Sequence, residues 1–407
     1  MVTKTKKLLM KLKLTFLVVF LVTVCNSNAQ ETITPQFGKG LINLVGQDSS
    51  WTMKVGLRMQ FLGESTWDDN QKNETSFLVR RVRLKLDGFA FSPKLEYKFQ
   101  LGFSNNDISG ASKYTDNAPR YILDAVAKWH FYKNFELWFG QTKLPGNREF
   151  TISSGNMQFV DRSLLNSQFA IDRDMGVQLH HHFNLTEAFI IKEAFAFSQG
   201  EGRNITTGNL GGHQYTTRLE LLPFGEFANG GDYSGGDLKR EASPKLAFGV
   251  TYDFNNNAVK TRSNQGSYMV INDGADIFET NINTLFIDTM FKYNGFSFMA
   301  EYSKRDTKNP HAKNSDGTLT GDKVQIGNAL NFQAGRLFKN NWEVAARYTN
   351  VALHKIITGK DAENQYTLGV SKYIVGHKLK LQSDISYLDV ANNANQLLYR
   401  LQFEIHF

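Results

Sequence analysis

The chain has 407 residues, 41% of them hydrophobic and 13% aromatic, with a formal charge of +7. Mean hydropathy is −0.37, and past residue 29 no apolar run nears the roughly 20 residues that a membrane helix requires, which excludes a helical membrane protein. Five of the 46 Lys and Arg fall within residues 1–29 and none of the 39 acids does. The rest of the chain therefore carries 41 against 39, a balance of +2, which gives no argument for a nucleic-acid partner.

The N-terminus reads as an export signal. Lys4, Lys6, Lys7, Lys11 and Lys13 precede an apolar run over 14–24, and Ser27-Asn28-Ala29 offers small residues for cleavage. Residues 1–29 are expected to be removed. The only cysteine, Cys25, raises a lipoprotein alternative, which the bulky Val24 before it opposes. Cleavage after Ala29 would leave no cysteine, and hence no disulfide or thiol chemistry. Residues 30–50, rich in Gly and polar side chains, form an N-terminal segment that could be a short plug, a periplasmic tail or disordered.

From residue 51 to 407 one unit repeats: an alternating segment of about 9–13 residues, then a turn or loop. In 51–63, Met53, Val55, Leu57, Met59 and Phe61 share one face, and Lys54, Arg58 and Gln60 the other. In 77–89, Val82, Leu84 and Leu86 oppose Arg81, Arg83, Lys85 and Asp87. In 95–103, Leu95, Tyr97, Phe99, Leu101 and Phe103 oppose Glu96, Lys98 and Gln100. The same pattern recurs near 246–252, 342–348 and 379–387, with weaker segments between. The final segment, 397–407, alternates without a break: Leu397, Tyr399, Leu401, Phe403, Ile405 and Phe407 against Leu398, Arg400, Gln402, Glu404 and His406. About 16 strands with alternating short turns and long connections predict an all-β fold: a transmembrane antiparallel up-and-down β-barrel, apolar outside and wet inside. About 16 strands leave a water-filled lumen, whereas a plugged structural barrel needs about eight. Tight turns are expected at Ser92-Pro93, Lys133-Asn134, Asn294-Gly295, Asn340-Asn341 and Val375-Gly376. Residues 225–244 break the rule, being long where a short turn is due. Either that turn is extended or the strand count is off there.

Two stretches carry a resemblance. Residues 77–88, FLVRRVRLKLDG, and 139–183, with G-Q-T-K-L-P, V-D-R-S-L and R-D-M-G-V-Q in order, resemble the phosphate-selective porin O and P family. The resemblance runs from about residue 37 to 407. It implies a 16-stranded, usually trimeric outer-membrane channel of a Gram-negative bacterium, with its third long loop folded into the lumen and basic side chains along an anion path. The implied partners are small anionic solutes with phosphate or polyphosphate as candidate, outer-membrane lipid, a homotrimer, and the barrel assembly machinery through the strand ending in Phe407.

The residues support part of this independently. The connection 143–173 is too long for a simple hairpin loop, so it must cover something or fold inward. It carries Lys143, Arg148, Arg162 and Arg173. Arginine in a narrowed passage binds a phosphate or carboxylate through two parallel hydrogen bonds. Arg81, Arg83 and Lys85 place three cations on one face of one strand, about 6.6 Å apart by strand rise. These seven are the expected anion path. Glu149, Asp161, Asp172 and Asp174 bring the same loop close to neutral, so local ion pairing in a weakly selective channel stays open.

Other chemistry finds little footing. In His180-His181-His182 only the outer two share a strand face, short of the ligands zinc needs. Asp and Asn clusters near 253–257, 305–316 and 392–395 lack the spacing of a calcium loop. A lipase-type barrel would need an outward Ser and His at the extracellular edge, and the outward His181 lies toward the other end. No enzyme activity, metal or cofactor is expected.

Overall fold

The computed structural model describes residues 36–68 and 73–407. The stretch read as an export signal, with Cys25, lies outside the described residues. Sixteen long strands build the wall. They are β1 (Thr52–Asp68), β2 (Glu74–Ala90), β3 (Ser92–Gly102), β4 (Ile122–Tyr132), β5 (Phe135–Lys143), β6 (Arg173–Asn184), β7 (Ile190–Ser198) and β8 (Gln214–Leu222). Then follow β9 (Lys245–Ala258), β10 (Thr280–Tyr293), β11 (Phe296–Asp306), β12 (Gly327–Leu337), β13 (Trp342–Leu353), β14 (Glu363–Val375), β15 (Leu379–Val390) and β16 (Gln396–His406). Each pairs antiparallel with its chain neighbours, and β1 also pairs with β16, Phe61 opposite Phe403 and Asp68 opposite Gln396. The sheet therefore closes, as the strand count requires.

Burial follows the alternation, inverted relative to a soluble protein. In β10 the inward Thr284, Phe286, Asp288, Met290 and Lys292 are buried, while the outward Leu285, Ile287 and Phe291 are only partly so. Elsewhere on the wall the outward set includes Phe332, Tyr366, Leu368 and Phe403, all exposed. A side chain facing lipid costs nothing to leave uncovered by protein if it is apolar, and one facing the lumen can stay polar.

The turns at one rim are short. Asn294 and Gly295 both have positive φ, as a two-residue hairpin turn needs to match strand twist. The first turn is not at Ser92-Pro93, which open β3; Phe91 alone, with φ 66°, joins β2 to β3. The long connection at this rim is real, since residues 223–244 join β8 to β9 and the count of 16 stands. Of the N-terminal segment, Ile42–Val45 forms a short strand on the β1 edge, Ile42 opposite Val55, and Phe37 packs edge-on against Phe407. It extends the seam where the sheet closes.

Gly140 on β5 adopts φ 129°, and a Cβ there would meet the Ala125 carbonyl oxygen of β4 at 2.2 Å. No other residue fits both the space and the dihedral. Gly140→Val is expected to destabilise the barrel by about 1–3 kcal/mol, read as an earlier midpoint in urea by tryptophan fluorescence. An unchanged midpoint would show that the wall flexes at β4–β5.

Candidate functional site: the lumen

The residues that break the inner polar parity show where something docks. Phe286, Ala329, Val351 and Leu353 face inward on β10, β12 and β13, and they are buried against Leu144, Leu165, Phe169 and Ile171. Leu222, Ala247, Met290 and Met299 do the same nearer the turn rim, against Ile152 and Met157. The docking partner in both clusters is the connection 144–172, which carries two short helices, α1 (Arg148–Thr151) and α2 (Leu164–Phe169). Burying each large side chain contributes about 1.5–3 kcal/mol.

Polar contacts tie the same connection to nearly every other part of the inner wall. Arg58 of β1 donates to Ser154 Oγ at 2.8 Å, and Gln60 to the Ser154 carbonyl at 3.1 Å. The amide of Val160 donates to Asp384 of β15 at 3.0 Å, and Gln158 donates to Glu343 of β13 at 2.8 Å. Arg305 of β11 caps α2 through the carbonyls of Gln168 and Phe169 at 2.8 and 2.7 Å. Phe159 lies over Gly369, where a Cβ would come within 3.0 Å of its ring.

Asp161 is the densest node. It accepts from Arg80 at 2.8 Å and Arg400 at 3.3 Å, with Arg81 at 3.6 Å. Burial alone would raise its pKa, but the three guanidiniums outweigh burial and bring it down to about 2. Arg80 sits on the wrong parity for this role. A bulge makes it possible: Gln60 pairs with Arg81 and Phe61 with Val79, leaving Arg80 as the extra residue.

The seven expected cations fall into three groups. Arg81 and Arg83 line the inner face of β2 as expected, but both are engaged. Arg81 donates to Gln60 at 2.8 Å, and Arg83 grips Asp107 through two bonds of 2.9 and 2.6 Å. Lys85 pairs with Asp87 at 2.9 Å and stays about one-third exposed, 38%. Arg148 is wholly buried. It bridges Glu220 at 2.6 Å and Asp288 at 2.8 Å, and these carboxylates outweigh its burial and raise its pKa. Arg162 spends its donors on the carbonyls of Glu149 and Ile152, at 3.0 and 2.7 Å. Lys143 and Arg173 turn out to be strand-end residues of β5 and β6 rather than loop residues. Lys143 caps α1 through the carbonyls of Thr151 and Ile152, and Arg173 binds Asp124 at 3.1 Å and Asp172 at 3.3 Å. The structure therefore brings Arg81 and Arg83 together opposite Ser154 and Asp161. Arg162 lies near this pair but spends its donors on the connection's own carbonyls, and Arg148 binds the far wall at Glu220 and Asp288.

Two cavities on the β3–β8 side carry clustered cations. At the loop rim, a cavity of about 390 Å³ faces Arg120, Arg173, Arg203, Lys260 and Arg262 against one carboxylate, Asp172. Toward the turn rim, a cavity of about 470 Å³ is lined by Lys98, Lys128, Lys143 and Lys192, with Glu136, Glu193, Glu220 and Glu226. Asp124 joins them: it binds Arg173 of the first and Lys98 of the second, the latter at 3.0 Å. In the second, Trp138 is sandwiched by Lys128, 3.6 Å from its ring, and His180, stacked at 4.0 Å. His181 pairs instead with Glu193 at 3.0 Å. Among the described residues no group of three or more metal-ligating side chains converges.

Sequence reasoning passed over most of the mouth. Arg120, Arg203, Lys260 and Arg262 come from three different connections, and no spacing links them. Arg218, Arg305 and Lys380 lie on the inner parity and could have been selected by it, as could the inward apolar residues that mark the docked connection.

A family model for phosphate-selective porins O and P matches residues 53–402. The chain is 23% identical over 383 residues to an uncharacterised protein of Aquifex aeolicus (strain VF5), covering 87% of each. Among solved structures it is similar to the anion-selective porin of Comamonas acidovorans, at 12% identity and TM-score 0.51, covering 88% of this chain and all of that one. It is similar also to Salmonella typhi OmpF in complex with daunomycin, at 10% identity and TM-score 0.56, covering 88% and 99%. At these identities the two structures report on fold.

Asp161→Asn is expected to leave three guanidiniums without their shared carboxylate. Anion preference in planar bilayers should rise and the noise of single openings increase. Unchanged selectivity and noise would mean that Asp161 neither neutralises nor fixes anything along the path.

Proposed function

This chain belongs to the phosphate-selective porin O and P family, and from that premise we propose that it is an outer-membrane porin passing small anions, phosphate among them, by passive diffusion. The observation that carries the anion preference is the mouth, where five cations face one carboxylate around a cavity of about 390 Å³. Its low dielectric walls concentrate anions there. From the mouth the path follows Arg173 to Lys98 and Lys143, then Lys128 and Lys85, along the inner face of β2–β6. Each cation there already holds a carboxylate, a carbonyl or an aromatic ring, so a passing anion exchanges partners rather than meeting a bare charge. That keeps binding weak enough for release. Arg81 and Arg83 act from the wall beside this path, while Arg148 and Arg162 shape the constriction formed by residues 144–172.

The same reading places the short turns in the periplasm and the mouth outside, with a signal at 1–29, a homotrimer, lipid around the outer face and assembly through β16. A passive channel needs no catalytic group.

The decisive measurement is the reversal potential of the purified protein in a planar bilayer across a KCl gradient, with and without phosphate. An anion-selective potential and a chloride current that phosphate blocks are expected. A potential near zero with no block would leave a general diffusion pore.

Lys260 at the mouth and the buried Glu201 behind it, whose carbonyl accepts from Lys260, set a pH dependence. Burial raises Glu201 to about 7, helped by Asp174, and burial lowers Lys260 to about 8, helped by Arg120. As pH rises, Glu201 gains its negative charge and Lys260 then loses its positive one. Anion preference should therefore fall between about pH 6 and 9, and Lys260→Gln should remove the upper part of that fall. A flat profile would take both groups out of the path.

A further inference from the structure

Residues 223–244, the one long connection at the turn rim, do not hang below the barrel. We propose that this segment is the second half of the constriction. It closes the β9–β15 side of the lumen from below and confines solutes to the cationic β2–β7 side, so that it sets both size limit and charge preference. The inference rests on the pore reading above.

The geometry is a chain of contacts across the rim. The Gly235 amide donates to the Asn156 carbonyl at 2.6 Å, and Arg148 donates to the Asp232 carbonyl at 3.0 Å. The Arg148 guanidinium also lies 5.1 Å from the Tyr233 ring. Phe227 is buried in the same apolar cluster as Ile152 and Met157. The segment is thus joined to the connection 144–172 by backbone, charge and apolar contact.

It is anchored to the wall at three further turns. Asp237 accepts from the Gly295 amide at 2.7 Å, and the Asn294 amide donates to the Glu241 carbonyl at 2.9 Å. Arg240 donates to the Phe338 carbonyl at 2.8 Å, and His377 bonds the Gly235 carbonyl at 3.0 Å. Lys292 of β10 donates to the Ser234 carbonyl at 2.8 Å. Above this floor the inner wall is covered jointly: Lys380 and Gln382 donate to the carbonyls of Met157 and Gln158 in the connection 144–172, and Glu343 lies between that connection and the segment, where a Cβ on Gly236 would come within 2.8 Å of its carboxylate.

Two variants test this. One replaces residues 227–241 by a two-residue Asn-Gly turn. The other, Gly235→Val, keeps the segment but wedges it off, because a Cβ there would lie 2.5 Å from the Gln158 amide nitrogen and 2.8 Å from the Asn156 carbonyl oxygen. Both are read by single-channel conductance, reversal potential and liposome swelling with neutral sugars of graded size. The deletion is expected to raise conductance roughly twofold or more, admit larger sugars and weaken anion preference, with a smaller change of the same sign for Gly235→Val. Variants that fold, by heat-modifiable mobility, with wild-type conductance and sugar cut-off would overturn the inference. Hydrogen exchange in the unmodified protein gives a reading free of folding failures. The Gly235 amide should be as protected as strand amides, and rapid exchange there overturns the inference as well. Loss of anion current in the wild type would instead overturn the pore reading, so the two failures are distinguishable.

Discussion

A wall that faces lipid outside has to put its polar side chains inside, and each one the lumen covers must then find a partner there. Most of the interior follows from this constraint. On β2, β8, β10, β11, β13, β15 and β16 the inner parity carries Arg, Asp, Glu and Lys. A buried charge without a partner is expensive, while a paired and hydrogen-bonded one is tolerated. The connection 144–172 supplies many of the missing partners: backbone amides for Asp384 and Glu301, carbonyls for Arg305 and Lys143, and a carboxylate for the arginines of β2 and β16. It holds its path across the barrel because the wall needs it there.

The same pairing decides where selectivity can come from. Arg148 and Arg218 share Glu220 and Asp288, so that two guanidiniums and two carboxylates cancel in the buried half. Such a cluster fixes geometry more than it adds stability, since a well-packed apolar set of the same volume does as well or better. Net positive charge survives around open space at the mouth, where five cations face one carboxylate.

Much of this fold is legible in the sequence because the period-two code is doubly enforced, by lipid on one parity and by water and ion pairs on the other. β16 and β1 read without ambiguity for that reason. Arg80 did not, because a bulge overrides parity and no residue type announces it. Residues 225–244 leave two readings, an extended turn or a miscounted strand, since a sequence shows the length of a connection but not the surface it returns to. The inward Phe286, Met290 and Met299 were the available clue: an apolar side chain on a wet face means that the face is not wet there. The cations of the mouth left no clue, since Arg120, Arg203 and Lys260 are brought together only by closure of the ring.

Inner apolar residues concentrate on β8 to β13, beside the buried Arg148–Glu220–Asp288–Arg218 cluster, and the lysine-bearing cavity falls on β3 to β8. That division has an electrostatic consequence. The filled side is a low-dielectric slab along one wall of the channel, so field lines from Arg173, Lys98 and Lys128 are pushed into the narrow wet side rather than spread across the whole barrel. A modest excess of cations then acts more strongly on a passing anion than the same charges would in a fully hydrated lumen. On this view the filler is part of the selectivity device: moving it away would weaken anion preference even with every lysine and arginine left in place.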